Sequence, residues 1–465
     1  MRYLFLVLTL CCSNVWANPP EALSKLIASY KYSSDPELRY SLEERMQYWQ
    51  IPSVSVSTFK QGKPDWQYVA GERNKAGQAT TADTRYQVAS MSKPVTALVV
   101  LRAVEQALLD LNAEVKPMLA PEFAQLVESS VSLRQLLSHQ AGFNHVGYVG
   151  VESGQPLPSL ASYTKSSSQY GVLKQEFTVG EFRYSNGGYI VIQHLLEQVY
   201  NKPFAEIAEQ EVFKPLGMTH SSFVQPDKAD VSDVYAHAHK FGEWEQAGWH
   251  KYAARCAAGL WTTPNDFMTM LLAIHRAYIG EDETWLKQQT IAAINFPSTP
   301  FMGLGFFRSD DVRANYVFHG GVNHGFESHF VLYPKLGTGA VVMTNGQKGD
   351  QLALEILRSI SVQEGWNHYA LNQTEVLKVD LQEIESLVGR YQFDPNFYAD
   401  VFIRDGQLYL QGYQQDAYAL YKVGEKQFRP LEFQSNFRFE FTKQGKVKGL
   451  IQESNFFTGP AKKIH

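Results

Sequence analysis

Cysteine is scarce: the 465 residues hold three, Cys11, Cys12 and Cys256. The first two lie in an N-terminal segment with the marks of a removable leader, so the mature chain keeps Cys256 alone and forms no internal disulfide. A chain of this length builds a core large enough to do without one, even in an oxidising compartment. Cys256 is read as a small buried apolar residue rather than a nucleophile. The sequence has no dense Lys/Arg tract, and its formal net charge is −5. The clustered basic face of a nucleic-acid binder is missing, so nucleic acid is not expected as a partner. The apolar run from Leu4 to Cys12 is too short to cross a bilayer. His237-Ala238-His239 puts two imidazoles on one face of a strand, but no third ligand follows at a recognisable spacing. No metal and no cofactor are therefore expected.

Arg2, the apolar run and the small residues around Val15-Trp16-Ala17 predict a signal peptide over residues 1–17, cut after Ala17. The expected product is secreted or periplasmic, with no stable membrane insertion after cleavage. Pro20 to Gln50 reads as largely helical, with Leu23, Leu26, Ile27 and Tyr30 on one face. Ile51 to Phe59 alternates as a strand, and Gln61-Gly62-Lys63-Pro64 turns it toward a returning strand at Trp66 to Val69. Val88 to Glu105 switches to a helix that is apolar almost all round from Val95 to Leu101, hence buried. Helical periodicity returns from Tyr189 to Val199 and from Gln351 to Ile360, with strands at Phe326 to Tyr333 and Gly339 to Thr344. The pattern weakens at 366–380, the expected linker between a domain at 18–365 and a small antiparallel β domain at 381–465. In the latter, Asp405-Gly406 between Val401-Phe402-Ile403 and Leu408-Tyr409-Leu410 is a hairpin signal, and Gly445 marks a second.

Ser-x-x-Lys occurs three times, as Ser57/Lys60, Ser90/Lys93 and Ser162/Lys165. Ser57 lies on a predicted strand, where residues three apart point to opposite faces. Ser162 sits in a polar loop that fixes neither side chain. Ser90 opens the buried helix, and residues three apart on a helix share a face. A serine hydroxyl is a weak nucleophile until a base takes its proton, and burial pushes a lysine toward the neutral amine that can do so. Free N–H groups at the helix start are available to an oxyanion. The competing assignment for Ser90 is a helix cap beside a solvated lysine.

Tyr184-Ser185-Asn186 is the sole Tyr-x-Asn and precedes the Tyr189 helix, where a loop aims side chains at a cleft. A tyrosine there relays protons if nearby positive charge lowers its pKa; otherwise it is a surface turn. His319-Gly320-Gly321 precedes the Phe326 strand, and paired glycines let a substrate approach the backbone. His145-Val146-Gly147 repeats the His-x-Gly pattern and is read as coincidence. No Gly-x-Ser-x-Gly elbow is present, which argues against an α/β-hydrolase.

In order and rough spacing, Ser90-Met91-Ser92-Lys93, Tyr184-Ser185-Asn186 and His319-Gly320-Gly321 resemble the penicillin-recognising serine hydrolases. The nearest branch is the class C β-lactamase-related group, with its DD-carboxypeptidases, D-aminopeptidases and esterases. Leu136 to Gly142, Pro215 to Met218 and Ala258 to Thr263 resemble that family too, and the likeness runs from Ala22 to Ser361. It implies an α/β (α+β) fold, an antiparallel sheet flanked by helices plus an all-helical region. The C-terminal part resembles the lipocalin-like barrel appended to some members. It further implies that Ser90 is acylated, that Lys93 and Tyr184 move protons, that Asn186 orients Lys93 and the substrate amide, and that Ser90 and Val322 N–H groups form the oxyanion hole. Which of Lys93 and Tyr184 is the base stays open. Relatives carry Lys-Thr-Gly where this chain has His319-Gly320-Gly321, so the cation that meets a substrate carboxylate is missing. The expected partner is a small-molecule or peptide substrate, cleaved at an amide, peptide, ester or β-lactam bond. A carboxylesterase, or a penicillin sensor acylated without turnover, is the alternative. Oligomeric state is left open.

Overall fold

The computed structural model describes residues 19–464 except 33–37, 148, 228–233, 241, 296–298, 300, 310, 312, 367–368, 370–372, 396, 414–416, 432–434 and 455–457. The expected signal peptide therefore lies outside the described residues. The chain divides into two compact units, the first consisting chiefly of Met46–Ala353 and the second of Glu21–Arg45, Leu354–Gly365 and Tyr369–His465.

The first unit is built on a six-stranded antiparallel sheet. Its strands are β1 (Ser53–Lys60), β2 (Lys63–Gly71), β3 (Phe307–Arg308), β4 (Val317–Asn323), β5 (Phe326–Tyr333) and β6 (Thr338–Thr344), in the order β3-β4-β5-β6-β1-β2. β1 alternates Ser and Val yet is buried on both faces. Two of its serines find partners there, Ser53 with the Tyr86 hydroxyl at 3.0 Å and Ser57 by donating to Asn265 Oδ1 at 2.8 Å, while the Ser55 hydroxyl is buried without one. Three helices frame this unit: α1 (Ser92–Glu105), α2 (Asn186–Tyr200) and α3 (Pro264–Tyr278). As the apolar run predicts, every residue of α1 from Val95 to Leu101 is buried. Each large apolar side chain so buried contributes about 1.5–3 kcal/mol, which makes α1 the rigid spine of this unit.

The second unit carries nine antiparallel strands between Gly389 and Lys463, curled into a nearly closed, barrel-like sheet. Both hairpins expected there are present. Two expectations need correction. Residues 20–50 are not one helical stretch: Leu23, Leu26, Ile27 and Tyr30 are all buried, but Leu26–Ile27 pairs as a strand with Arg39–Tyr40. The stretch 366–380 is more than a linker, because Thr374–Val376 pairs in parallel with Tyr30–Tyr32. Helical spacing and strand pairing bury the same apolar residues, and a ladder partner far along the chain decided between them. The N-terminal segment is also fastened by charge. Glu355 accepts from Arg45 Nε at 2.8 Å and Nη2 at 2.7 Å, and from Ser29 N and Oγ. A buried carboxylate satisfied on this scale fixes one arrangement of these segments.

Candidate active site

A single 3₁₀ turn, Ala89–Met91, delivers Ser90 at the head of α1. Ala89 has φ +46°, the left-handed region that a side-chain-bearing residue occupies only under constraint. The constraint is visible: Met91 N donates to Val88 O, Val88 N to Leu260 O, and Leu260 N to Ser92 Oγ at 3.0 Å. Lys93, one turn on, is fully buried, with Nζ 2.9 Å from Ser90 Oγ and 3.0 Å from the Ala257 carbonyl. Among the described residues no carboxylate pairs with it. Burial pushes its pKa well below the usual lysine value. The other two Ser-x-x-Lys pairs are not assembled this way: Ser57 is spent on Asn265, and Lys60 and Lys165 are exposed.

Tyr184 reaches the same place from the loop before α2. Burial pushes its phenol above the usual range, an effect that a hydrogen bond with Ser90 partly offsets. Ser185 caps α2 by accepting from Gly188 N at 3.1 Å, and its hydroxyl donates to Asn144 O. His139, inside the segment Leu136 to Gly142, accepts from Ser185 N at 3.1 Å, and its ring lies 4.3 Å from that of Tyr184. Asn186 N donates to His145 Nδ1 at 3.3 Å. Asn186 was expected to orient Lys93; the carbonyl that holds Lys93 is instead that of Ala257, and Asn186 Oδ1 is buried without a hydrogen-bond partner.

The third wall is β4. Asn323 pairs with Phe326 across the two-residue turn His324-Gly325, where Gly325 has φ +70°. In an antiparallel ladder alternate residues turn their N–H outward, so Val322, next to the closing pair, directs its amide away from β5. Gly321 presses on the Ala89–Met91 turn: a Cβ there would stand 2.1 Å from Val88 O and 3.1 Å from Ser90 N. His319 is buried, its Nδ1 2.5 Å from Gly320 O and its Nε2 without a partner. Its pKa falls to about 3, first through burial and then through Lys93 whenever that group is charged.

These elements enclose a cleft of about 430 Å³ lined by Ser90, Tyr184, Asn186 and His319 to Val322 together with His145, Phe307, Asn323, His329 and Asp350. Every residue expected at the site except Lys93 lines the cleft, and Lys93 lies beneath Ser90. Sequence reasoning set His145 aside as a chance His-x-Gly and did not single out Phe307, Asn323, His329 or Asp350. Cys256 is buried and its thiol pushed up, so it is no rival nucleophile.

The protonation of His319 has a measurable consequence. The unfolded chain takes up a proton near pH 6.5 that the folded chain refuses until about pH 3. The stability contributed by the neutral ring is complete above pH 6.5 and is lost as pH falls from 6.5 toward 3, by about 2 kcal/mol at pH 5. His319→Gln should therefore narrow the gap between urea midpoints measured at pH 7 and pH 5. An unchanged gap would place the acid sensitivity elsewhere.

Among solved structures, the octameric penicillin-binding protein homologue from Pyrococcus abyssi superposes with a TM-score of 0.61 at 19% identity, covering 90% of this chain and 98% of that one. The D-amino acid amidase from Ochrobactrum anthropi gives 0.56 at 17% identity over 69% of this chain and 96% of that one. At these identities the likeness is one of fold. In sequence, Protein flp of Staphylococcus aureus strain MRSA252 is 24% identical over 343 residues, 67% of this chain; the chain covers 63% of the length of that relative. Residues 41–363 match the family model described as Beta-lactamase, and this chain belongs to that family.

Proposed function

We propose that the protein is an exported serine hydrolase that forms an acyl-enzyme on Ser90 and prefers acyl donors without a carboxylate beside the scissile bond. The observation that carries this is Lys93, a buried amine 2.9 Å from Ser90 Oγ with its pKa pushed down. In the free protein the neutral Lys93 amine accepts the Ser90 proton, while Tyr184, pushed the other way, holds its proton ready for the leaving group. The Ser90 and Val322 amides would receive the oxyanion. Asn186 Oδ1, buried and unpartnered, is an acceptor for a substrate amide N–H.

Substrate preference follows from charge. Among the described residues the cleft wall offers one carboxylate, Asp350, and no lysine or arginine. His319, its pKa pushed down to about 3, is neutral near pH 7, so it gives a substrate carboxylate no cation. Esters and amides, including amides with a free amino group, fit such a wall better than β-lactams or D-Ala-terminated peptides.

Intact mass followed over time with penicillin, a D-Ala-D-Ala peptide, a D-amino acid amide and a short-chain ester tests the proposal. A transient adduct that turns over on the last two is expected. A permanent adduct on penicillin without turnover would favour a sensor, and no adduct with any of them removes the acyl-enzyme. His319→Lys restores a cation, and a charge-assisted contact is worth about 1.5–3 kcal/mol. The ratio of kcat/KM for a carboxylate substrate over a neutral ester should rise roughly ten- to a hundredfold. An unchanged ratio would show that this position does not set selectivity.

A further inference from the structure

Glu245, His250 and His324 come from three separate segments of the first unit. His324 opens the turn between β4 and β5, Glu245 follows the short strand Glu243–Trp244, and His250 lies in the strand His250–Lys251. One ligand-type atom from each lies within 4.8 Å of the others. His324 Nε2 is 2.8 Å from Glu245 Oε2, and the rings of His250 and His324 stack with centroids 4.0 Å apart. We propose that these three side chains form a binding site for a divalent transition-metal ion of the zinc class, which fastens the turn after β4 to the segment 245–250.

Two imidazoles and one carboxylate suit zinc, cobalt or nickel rather than calcium or magnesium, which prefer all-oxygen shells. Ligand atoms bound to one zinc at about 2.0–2.2 Å stand roughly 3.3 Å apart, so the 2.8 Å His324–Glu245 pair must open slightly for both of those atoms to ligate. The stacked ring planes are within 3° of parallel and do not aim at one point. Binding therefore requires the partly exposed His250 ring to tilt. Glu152 stands directly across from His250 in the ladder, on the same face, and supplies a further oxygen or leaves that position to water.

The supporting contacts are those of a prepared site. His324 N donates to Tyr252 Oη at 3.0 Å, Gln87 Nε2 donates to His250 O at 2.6 Å, and Ala247 N reaches Glu245 Oε1 at 3.4 Å. Burial holds His250 down to about 4 and lowers His324 as well. Burial alone would raise Glu245, but the hydrogen bonds from His324 and Ala247 bring it below the usual carboxylate value. Lys240 opposes a cation here, while Glu152 and Glu245 favour one. At neutral pH both rings are neutral and the carboxylate is ionised, and for Nε2 of His324 to ligate, the proton it shares with Glu245 must move to the other ring nitrogen. Neighbouring Asn323 donates to Ala258 O and Gln87 Oε1 and lines the catalytic cleft, so an ion at His324 would stiffen the end of β4 that carries Val322.

The test is binding, not activity, so its outcome is separate from the Ser90 proposal. Chelator-stripped full-length protein is titrated with zinc against a chromogenic chelator, and with cobalt followed by absorption. One equivalent should bind, and His250→Ala, His324→Ala and Glu245→Gln should each weaken binding at least tenfold. Glu245→Gln leaves His324 an acceptor, so it keeps the test valid if a histidine variant misfolds. No bound equivalent, or binding that survives all three substitutions and is lost in His145→Ala, overturns the proposal, the latter by placing the ion in the catalytic cleft.

Discussion

Ser90→Ala should abolish labelling by a fluorophosphonate and lower kcat by about 10⁴-fold or more, the scale seen when an activated serine nucleophile is removed. The expectation rests on Ser90 being the one Ser-x-x-Lys serine whose lysine is buried, close and free of a carboxylate. Peptide mapping after labelling checks it in the unmodified protein, where the adduct should sit on Ser90 alone. Lys93→Ala should fail in the same assay while leaving the hydroxyl in place, because the proton then has no acceptor. Labelling on Ser57 or Ser162, or full activity in Ser90→Ala, would sink the mechanism. The Ser90–Lys93 geometry also sets the pH response. The active form is the neutral amine, so kcat/KM on a neutral ester should rise with pH through the depressed Lys93 pKa and fall away on the acid side.

Gly321→Ala should be nearly as damaging, although residue 321 has no side chain to contribute. The new Cβ would lie 2.1 Å from Val88 O, a backbone atom held in place through Val88 N to Leu260 O. β4 is bonded to β5 along its other edge, so the nucleophile turn and the strand must part. That separation moves the Val322 amide away from the Ser90 amide, and loss of one oxyanion donor costs about 10²–10³ in kcat. KM should change much less, because the contact matters most in the transition state. Gly320→Ala is the control: its Cβ would meet only side-chain atoms, His329 Nδ1 at 3.0 Å and Asp350 Oδ1 at 3.3 Å, and no atom of the turn that carries Ser90. If both variants lose kcat equally, while circular dichroism shows both folded, close approach at Gly321 is not what builds the oxyanion hole.

The Ser90–Lys93 pair was legible in the sequence because its relation is local. Three residues on a helix fix two side chains on one face, and the apolar run from Val95 to Leu101 announces that the helix is buried. The hairpins were legible for the same reason: alternation and Asp405-Gly406 act within a few residues. The N-terminal segment was not, because its apolar spacing suits a helix and a strand alike, and its choice rests on Thr374–Val376 and Glu355.

The sequence by itself determined which residues could perform the chemistry: a serine and lysine one helical turn apart, a tyrosine before the next helix, and a histidine where relatives carry lysine. Only the tertiary structure decided their protonation, because a pKa depends on how completely water is excluded, and burial drives Lys93 and His319 down and Tyr184 up. It also decided who supports them. The Ala257 carbonyl beneath Lys93, His139 beside Tyr184 and the bare backbone of Gly321 against Val88 are contacts between segments far apart in the chain, and no local period encodes them.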